Sequence, residues 1–237
     1  MSFLFLLSCL GASHVLAAPA DPSAYVEARG GMVNLKSGSL IEGSTSHGGL
    51  QPDYILDTWV QEWKPLLGFA QEVGRSTQPY WSKIDSILDY LETRVLPASD
   101  YENPAYLGIL EEYRLKGEQV PLSRYAAVRA GVCRENALFT HMALKAAGIA
   151  NRHVYTWVES ADAPEDHAFT VVEHDGEEWI VDSYNDHFNG YRLKDLMKEG
   201  GPRPGDPVAP VRRTYRYRRV VRINDYPRYW IPKEDRR

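Results

Sequence analysis

The sequence predicts an α+β fold in which N-terminal helices precede an antiparallel sheet. Apolar residues recur at helical spacing between residues 55 and 146, and they alternate every second position after residue 154. Asp175-Gly176 lies between two β-rich segments and is a strong signal for a tight antiparallel hairpin. These observations place the helices first and the strands after them.

Three helices are expected in the first half of the chain. The first spans Ile55 to Leu67 and is kinked or shortened by Pro65. The second carries one apolar stripe from Trp81 to Val95. In the third, Asn103 caps the helix and Pro104 takes the first helical position, where the missing proline N–H does no harm.

A fourth helix begins at Cys133 and ends at Gly148, a residue suited to a left-handed C-cap. After it, β-rich composition predicts strands at residues 154–158, 167–174 and 178–184, a short helix at 193–197 and a final strand at 215–223. Both faces of the two hairpin strands are apolar, so we expect these strands to be central and covered on both sides.

Length and composition divide the chain into three parts. The 237 residues are 43% hydrophobic and 25% charged, which is typical of a globular protein and excludes fibrous and wholly disordered classes. We expect a signal peptide at residues 1–18, a flexible Gly/Ser-rich arm at 19–52 and a folded domain at 53–237.

The N-terminal apolar run indicates export, so the expected location is secreted or periplasmic, without a stable membrane span after removal of the signal. The segment has no Lys or Arg before its apolar run, which leaves a cytoplasmic location as the alternative.

Cys133 stands out because only one other cysteine, Cys9, is present, and Cys9 would leave with the signal. Two cysteines exclude a disulfide framework and a multi-cysteine zinc site. At the start of a helix, unpaired N–H groups and the helix dipole favour a negatively charged thiolate. The alternative is a small buried apolar residue with no chemical role.

The hairpin places a histidine beside a carboxylate. With Asp175-Gly176 as a two-residue turn, His167 and Asp182 share one face as diagonal neighbours, roughly 7–8 Å apart at the backbone. Phe169 and Tyr184 lie on the same face and are candidate substrate-binding residues. A three-residue turn would instead send the histidine and the carboxylate to opposite faces.

A thiol, an imidazole and a carboxylate are the groups required for nucleophilic acyl transfer. Cys133 would be the nucleophile, His167 the base and Asp182 the residue that orients the base. A hydrogen-bonded core histidine and a turn aspartate are the alternatives. For the oxyanion, the backbone N–H of Cys133 or Arg134 is the natural donor, and Gln119 or Trp81 could add a side-chain donor.

Four segments resemble the transglutaminase-like superfamily. They are the Gly-Val-Cys-Arg-Glu-Asn-Ala segment at 131–137, Ala-Gly-Ile-Ala-Asn-Arg at 147–152, His-Ala-Phe at 167–169 and Gly-Glu-Glu-Trp-Ile-Val-Asp at 176–182. The resemblance implies a papain-like core over residues 80–200, a thioester intermediate and the same three catalytic roles. Phe169 stands where the family usually has Trp, and Ser183 stands where Pro is common.

These features predict cysteine-dependent acyl transfer on glutamine carboxamides or amide bonds of a protein or peptide substrate. The thioester would pass to an amine (transglutaminase type) or to water (deamidase type). One alternative is a cysteine protease or amidase with the same triad. The alternative of another class is a catalytically silent module of this fold that binds a protein or an envelope component.

No metal or cofactor is expected, because the acidic and histidine residues between 162 and 187 fit no zinc or calcium spacing. The net charge of −5 argues against a nucleic-acid partner. Residues 211–237 nevertheless carry ten Lys/Arg and three Asp/Glu. A contact with an anionic surface could therefore use arginines of this tail, namely Arg212, Arg213, Arg216, Arg218 and Arg219.

Overall fold

A computed structural model of the chain describes residues 19–43, 52–159, 164–184, 190–210 and 218–234. The fold is α+β, with helices that precede antiparallel strands over most of the chain, and this prediction is confirmed. The expected signal peptide and residues 211–217 of the basic tail lie outside the described residues.

Six α-helices are found in the described part of the chain. They are α1 (Lys64–Arg75), α2 (Tyr80–Tyr90), α3 (Pro104–Lys116), α4 (Ser123–Val128), α5 (Cys133–Ala146) and α6 (Leu193–Leu196). Short 3-10 turns occur at Pro22–Ala24 and Gln61–Trp63, and a π-helical turn at Leu91–Val95 extends α2.

The helix-end signals act where they are expected for α3 but not for α1. The Asn103 side chain accepts hydrogen bonds from the N–H groups of Ala105 and Tyr106, and Gly117 ends α3 in the left-handed conformation. The first helix was placed too early by the sequence analysis. Pro65 lies in the first turn of α1, where it starts the helix instead of kinking it.

Within the described ranges, ten strands form two sheets. They are β1 (Tyr25–Arg29), β2 (Met32–Val33), β3 (Leu40–Ile41), β4 (Tyr54–Ile55), β5 (Val120–Pro121), β6 (Asn151–Glu159), β7 (Pro164–His174), β8 (Glu177–Val181), β9 (Arg219–Ile223) and β10 (Arg228–Pro232). The first sheet has the order β1-β10-β3-β4-β5, and the second has the order β2-β6-β7-β8, with β9 also paired to β6. All these pairs are antiparallel except β4 with β5.

The prediction of a flexible arm at residues 19–52 is wrong for the residues described, 19–43 and 52. All five residues of β1 pair with β10, and Leu35 is fully buried. Gly30 has a positive φ of 48°, and a Cβ there would come within 2.0 Å of the carbonyl oxygen of Asn224. This glycine therefore permits a close backbone approach, and the sequence analysis mistook it for a sign of flexibility.

Helix α5 packs between the other helices and the second sheet, against α1, α2, β6 and β7. Its first twelve residues are all buried, including polar ones that need internal partners. On the helical side, Phe139 stacks on Trp63 with ring centroids 4.2 Å apart. The helix that begins at Cys133 is thus the centre of the domain.

The hairpin of β7 and β8 has the predicted register. Asp175 and Gly176 form a two-residue turn with positive φ values of 53° and 74°, and His174 pairs with Glu177. Residues 167–172 of β7 are consecutively buried, so the strand is covered on both faces as expected. The register places His167 and Asp182 on the same face.

Among the residues that the structure describes, no helix is both long enough and apolar enough to span a bilayer.

Candidate active site

Cys133 is the first residue of α5 and is only 4% exposed. The N–H groups in the first turn of a helix have no intrahelical partner, so they favour negative charge at this position. The Glu135 side chain accepts a hydrogen bond of 2.9 Å from the N–H of Val132 and so closes the turn before the cysteine. A Cβ at Gly131 would approach Leu96 and Glu135 to 3.0 Å, so glycine suits the tight packing behind Cys133.

His167 and Asp182 form a buried hydrogen-bonded pair. Nε2 of His167 lies 2.6 Å from Oδ2 of Asp182, and the two side chains are 3% and 1% exposed. The other carboxylate oxygen accepts a hydrogen bond of 3.0 Å from the N–H of Tyr184. With both oxygens occupied, the carboxylate fixes the orientation of the imidazole ring.

The imidazole also forms a side-chain hydrogen bond with Cys133. Because Nε2 contacts Asp182, Nδ1 is the ring nitrogen left available to the sulfur. Burial lowers the pKa of His167, but the charge and hydrogen bond of Asp182 and the contact with Cys133 outweigh it and raise the pKa to about 10. The raised pKa favours the imidazolium form of His167 at neutral pH, between the sulfur of Cys133 and the carboxylate of Asp182.

Hydroxyl groups tie α5 to the hairpin. Thr140 donates a hydrogen bond of 2.7 Å to Ser183, and Ser183 donates one of 3.2 Å to the carbonyl of Asn136. Thr170 in β7 donates one of 3.1 Å to the carbonyl of Ala137. Ser183, the residue after Asp182, thus links the end of the hairpin to the helix that carries Cys133.

Tyr101, which no sequence pattern indicated, also lies beside Cys133. Its hydroxyl oxygen lies 3.8 Å from Sγ of Cys133, within hydrogen-bonding range for sulfur. The charge on Cys133, followed by burial and this hydrogen bond, raises the pKa of Tyr101 far above its usual range. The hydroxyl therefore stays neutral and can donate. No local signal in the sequence marks this residue, which lies two positions before the N-cap of α3.

Of the two candidate substrate-binding residues, one lies where a substrate cannot reach it. Phe169 is fully buried, with its ring centroid 6.1 Å from that of His167, so it packs behind the imidazole. Tyr184 is half-buried, with its ring 6.3 Å from the imidazole. Its hydroxyl donates a hydrogen bond of 2.7 Å to the carbonyl of Ser99. Tyr184 therefore remains a candidate for substrate contact.

Trp81 is not an oxyanion donor. Its ring packs edge-on against His174 and Trp179, each with a centroid separation of 5.4 Å, at the turn end of the hairpin. His174 is seven residues from His167 along β7, which is about 23 Å in an extended strand. The prediction failed because a tryptophan in an apolar stripe does not indicate which end of a sheet it covers.

The other two predicted donors are the backbone N–H of Arg134 and the side chain of Gln119. The Arg134 guanidinium lies over the rings of Tyr54 and Tyr155, at 4.6 and 5.7 Å, and donates a hydrogen bond of 2.9 Å to the carbonyl of Glu42. Only its backbone N–H therefore remains a candidate. Gln119 is half-buried just before β5, in the first sheet, and no contact between it and Cys133 is found in the described part of the chain.

No cluster of three or more His, Cys, Asp or Glu side chains able to hold a metal ion occurs within the described ranges. His141 is a structural residue. Its Nε2 accepts a hydrogen bond of 3.0 Å from the N–H of Leu35, and its Nδ1 contacts Oδ1 of Asn151 at 2.5 Å.

Comparisons with known proteins do not assign this chain to a family. No family model matches the chain, and no curated protein matches it. One solved structure, a candidate cysteine protease from Cytophaga hutchinsonii, is 18% identical with a TM-score of 0.38. The match covers 55% of this chain and 40% of that chain. The geometry of the site, and not this similarity, therefore carries the functional interpretation.

Proposed function

We propose that the protein is a cysteine-dependent enzyme that transfers the acyl group of glutamine carboxamides or amide bonds in a protein or peptide. The observation that supports this proposal most is the series of hydrogen bonds from Cys133 through His167 to Asp182. The motifs shared with the transglutaminase-like superfamily give the same three residues the same roles. The apolar N-terminal segment supports action outside the cytoplasm.

In the first step, Cys133 acts as a thiolate, its proton being held by the imidazole of His167. The sulfur attacks the carbonyl carbon and forms a tetrahedral intermediate. The C–N bond then breaks, and the imidazolium of His167 gives its proton to the leaving nitrogen. The products of this step are a thioester and ammonia or an amine. Asp182 stabilises the imidazolium and keeps the ring aligned throughout.

In the second step, His167 is neutral and acts as a general base. It takes a proton from an incoming amine or from water, which attacks the thioester and releases the thiolate. An amine acceptor gives cross-linking, and water gives deamidation or proteolysis. The burial of Cys133 supports amine transfer, because excluding water protects a thioester from hydrolysis.

The reactivity of the thiol tests the nucleophile. We expect iodoacetamide to alkylate Cys133 at pH 6–7 far faster than it alkylates free cysteine, and the His167→Ala variant to lose this advantage. Cys133→Ala is the control for label at any other position. A thiol no more reactive than free cysteine would indicate a silent binding module and contradict the proposal.

Product analysis distinguishes the acceptors. Casein incubated with the protein and a labelled primary amine should incorporate label and release ammonia if the acceptor is an amine. Ammonia release without incorporation would indicate deamidation, and new peptide termini would indicate proteolysis. The Cys133→Ala protein should show none of these products with little loss of stability, and activity in that variant would rule the mechanism out.

A further inference from the structure

We propose that the hydroxyl of Tyr101 is a catalytic hydrogen-bond donor to the oxyanion that forms when Cys133 attacks a carbonyl. This inference rests on the function proposed above and adds a residue to it. The contact that carries it is the 3.8 Å separation between the Tyr101 hydroxyl oxygen and Sγ of Cys133.

This separation suits a donor to the oxygen of the carbonyl group that the sulfur attacks. A carbonyl carbon in position for attack lies about 3–3.5 Å from the nucleophile. An effective donor lies about 2.7–3.1 Å from the position that the negative oxygen will occupy. A hydroxyl beside the sulfur, but not in tight contact with it, can reach an oxygen bound to the attacked carbon.

A second hydrogen-bond donor to the oxyanion is available at the start of α5. Cys133 is the first residue of α5, so its own backbone N–H is one of the first-turn donors that lack an intrahelical partner. Oxyanion sites commonly combine such a backbone donor with a side-chain donor. The side-chain candidates Trp81 and Gln119 lie elsewhere, so Tyr101 supplies the missing partner.

The position of Tyr101 is maintained by packing. Its ring meets that of Tyr106 edge-on, with centroids 6.1 Å apart, just before α3 begins at Pro104. A rotation of the tyrosine would break this contact. The donor is thus held in place before the reaction, as effective electrostatic stabilisation requires.

Two reactions of Cys133 distinguish a donor to the oxyanion from a residue that changes the reactivity of the thiol itself. Alkylation by iodoacetamide is a displacement at a saturated carbon and forms no oxyanion. Acylation by p-nitrophenyl acetate forms a tetrahedral oxyanion, then a thioester, with p-nitrophenolate as the leaving group. A residue that only activates or positions Cys133 changes both rates together.

The test compares Tyr101→Phe with the wild-type protein, because this change removes one hydroxyl and keeps the ring. Tyr80→Phe is the matched control: its hydroxyl donates to the carbonyl of Glu173 at the far end of β7. We expect Tyr101→Phe to reduce the acylation rate roughly 100-fold and to leave the alkylation rate within about twofold. The control should change neither rate.

Three results would overturn the proposal. Equal acylation rates for Tyr101→Phe and wild type would exclude the oxyanion role and leave the proposed function intact. A parallel fall in both rates would mean that Tyr101 acts on the thiol alone. Wild-type protein that is alkylated rapidly but never acylated would contradict the proposed function, and this inference with it.

Discussion

The hydroxyl of Tyr54 donates a hydrogen bond of 2.6 Å to Oε1 of Glu135, although the two residues are 81 positions apart. The second oxygen of the same carboxylate accepts from the N–H of Val132. Tyr54 belongs to β4, and Glu135 lies two residues beyond Cys133. The first sheet thereby holds the end of α5 that carries Cys133.

Tyr54→Phe should therefore destabilise the fold. The change leaves one oxygen of a fully buried carboxylate without its partner, which typically costs about 1–3 kcal/mol. The free energy of unfolding from urea titration measures this loss. Tyr90→Phe on α2 is the control, and equal stability of the two variants would show that the buried bond contributes nothing.

The rate of amide cleavage should fall at high pH. In the proposed reaction, the leaving nitrogen takes its proton from the imidazolium of His167, whose pKa is raised to about 10. This proton is present below that pH and is lost above it. Ammonia release from casein, measured between pH 7 and 11, should decline through pH 10. A decline centred near 6.5 would contradict the assignment.

Asp182→Asn should reduce amide cleavage about 10³–10⁴-fold, because the imidazole loses the carboxylate that orients it and stabilises its charge. Burial then dominates and lowers the pKa of His167, so the decline in rate moves to lower pH. Asp175→Asn in the hairpin turn is the control, since asparagine tolerates the left-handed backbone there. An unchanged pH profile for Asp182→Asn would mean that the pair is not coupled.

The fold should lose stability in mild acid through His141. Burial lowers the pKa of this histidine to about 4, from 6.5 in the unfolded chain. Between these values the unfolded state binds a proton that the folded state excludes, so stability falls as the pH falls. The full effect of this group is about 3 kcal/mol at pH 4.

Unfolding free energies between pH 4 and 7 check this expectation. His141→Gln should start less stable than wild type, because its contacts with Leu35 and Asn151 are altered, but its stability should depend less on pH. His174→Gln, at the partly exposed end of β7, should retain the wild-type slope. Equal slopes for all three proteins would disprove the role of His141.

Local signals explain which parts of the site could be predicted from the sequence. The Asp175-Gly176 turn determines the register of the hairpin, and an apolar period with a terminal glycine marks α5. These two features suffice to bring His167 beside Asp182 and to place Cys133 at a helix end. They depend on neighbouring residues along the chain, which is why sequence patterns reveal them.

The parts that were missed depend on pairing between distant segments. β2, β3, β4 and β5 are only two residues long and have no recognisable alternation. Gly30 permits close contact with Asn224, nearly 200 positions away, and no property of its own neighbourhood indicates this. Tyr101 reaches Cys133 in the same way, through the packing of helices whose arrangement the sequence does not encode locally.

The position of β10 has a consequence for biosynthesis. This strand lies between β1 and β3, so residues 228–232 join two segments that leave the ribosome about 190 to 200 residues earlier. Until then, β1 and β3 lack the neighbour that satisfies their backbone groups, and the nascent chain carries exposed strand edges. Chaperone protection during translation would matter most in this interval.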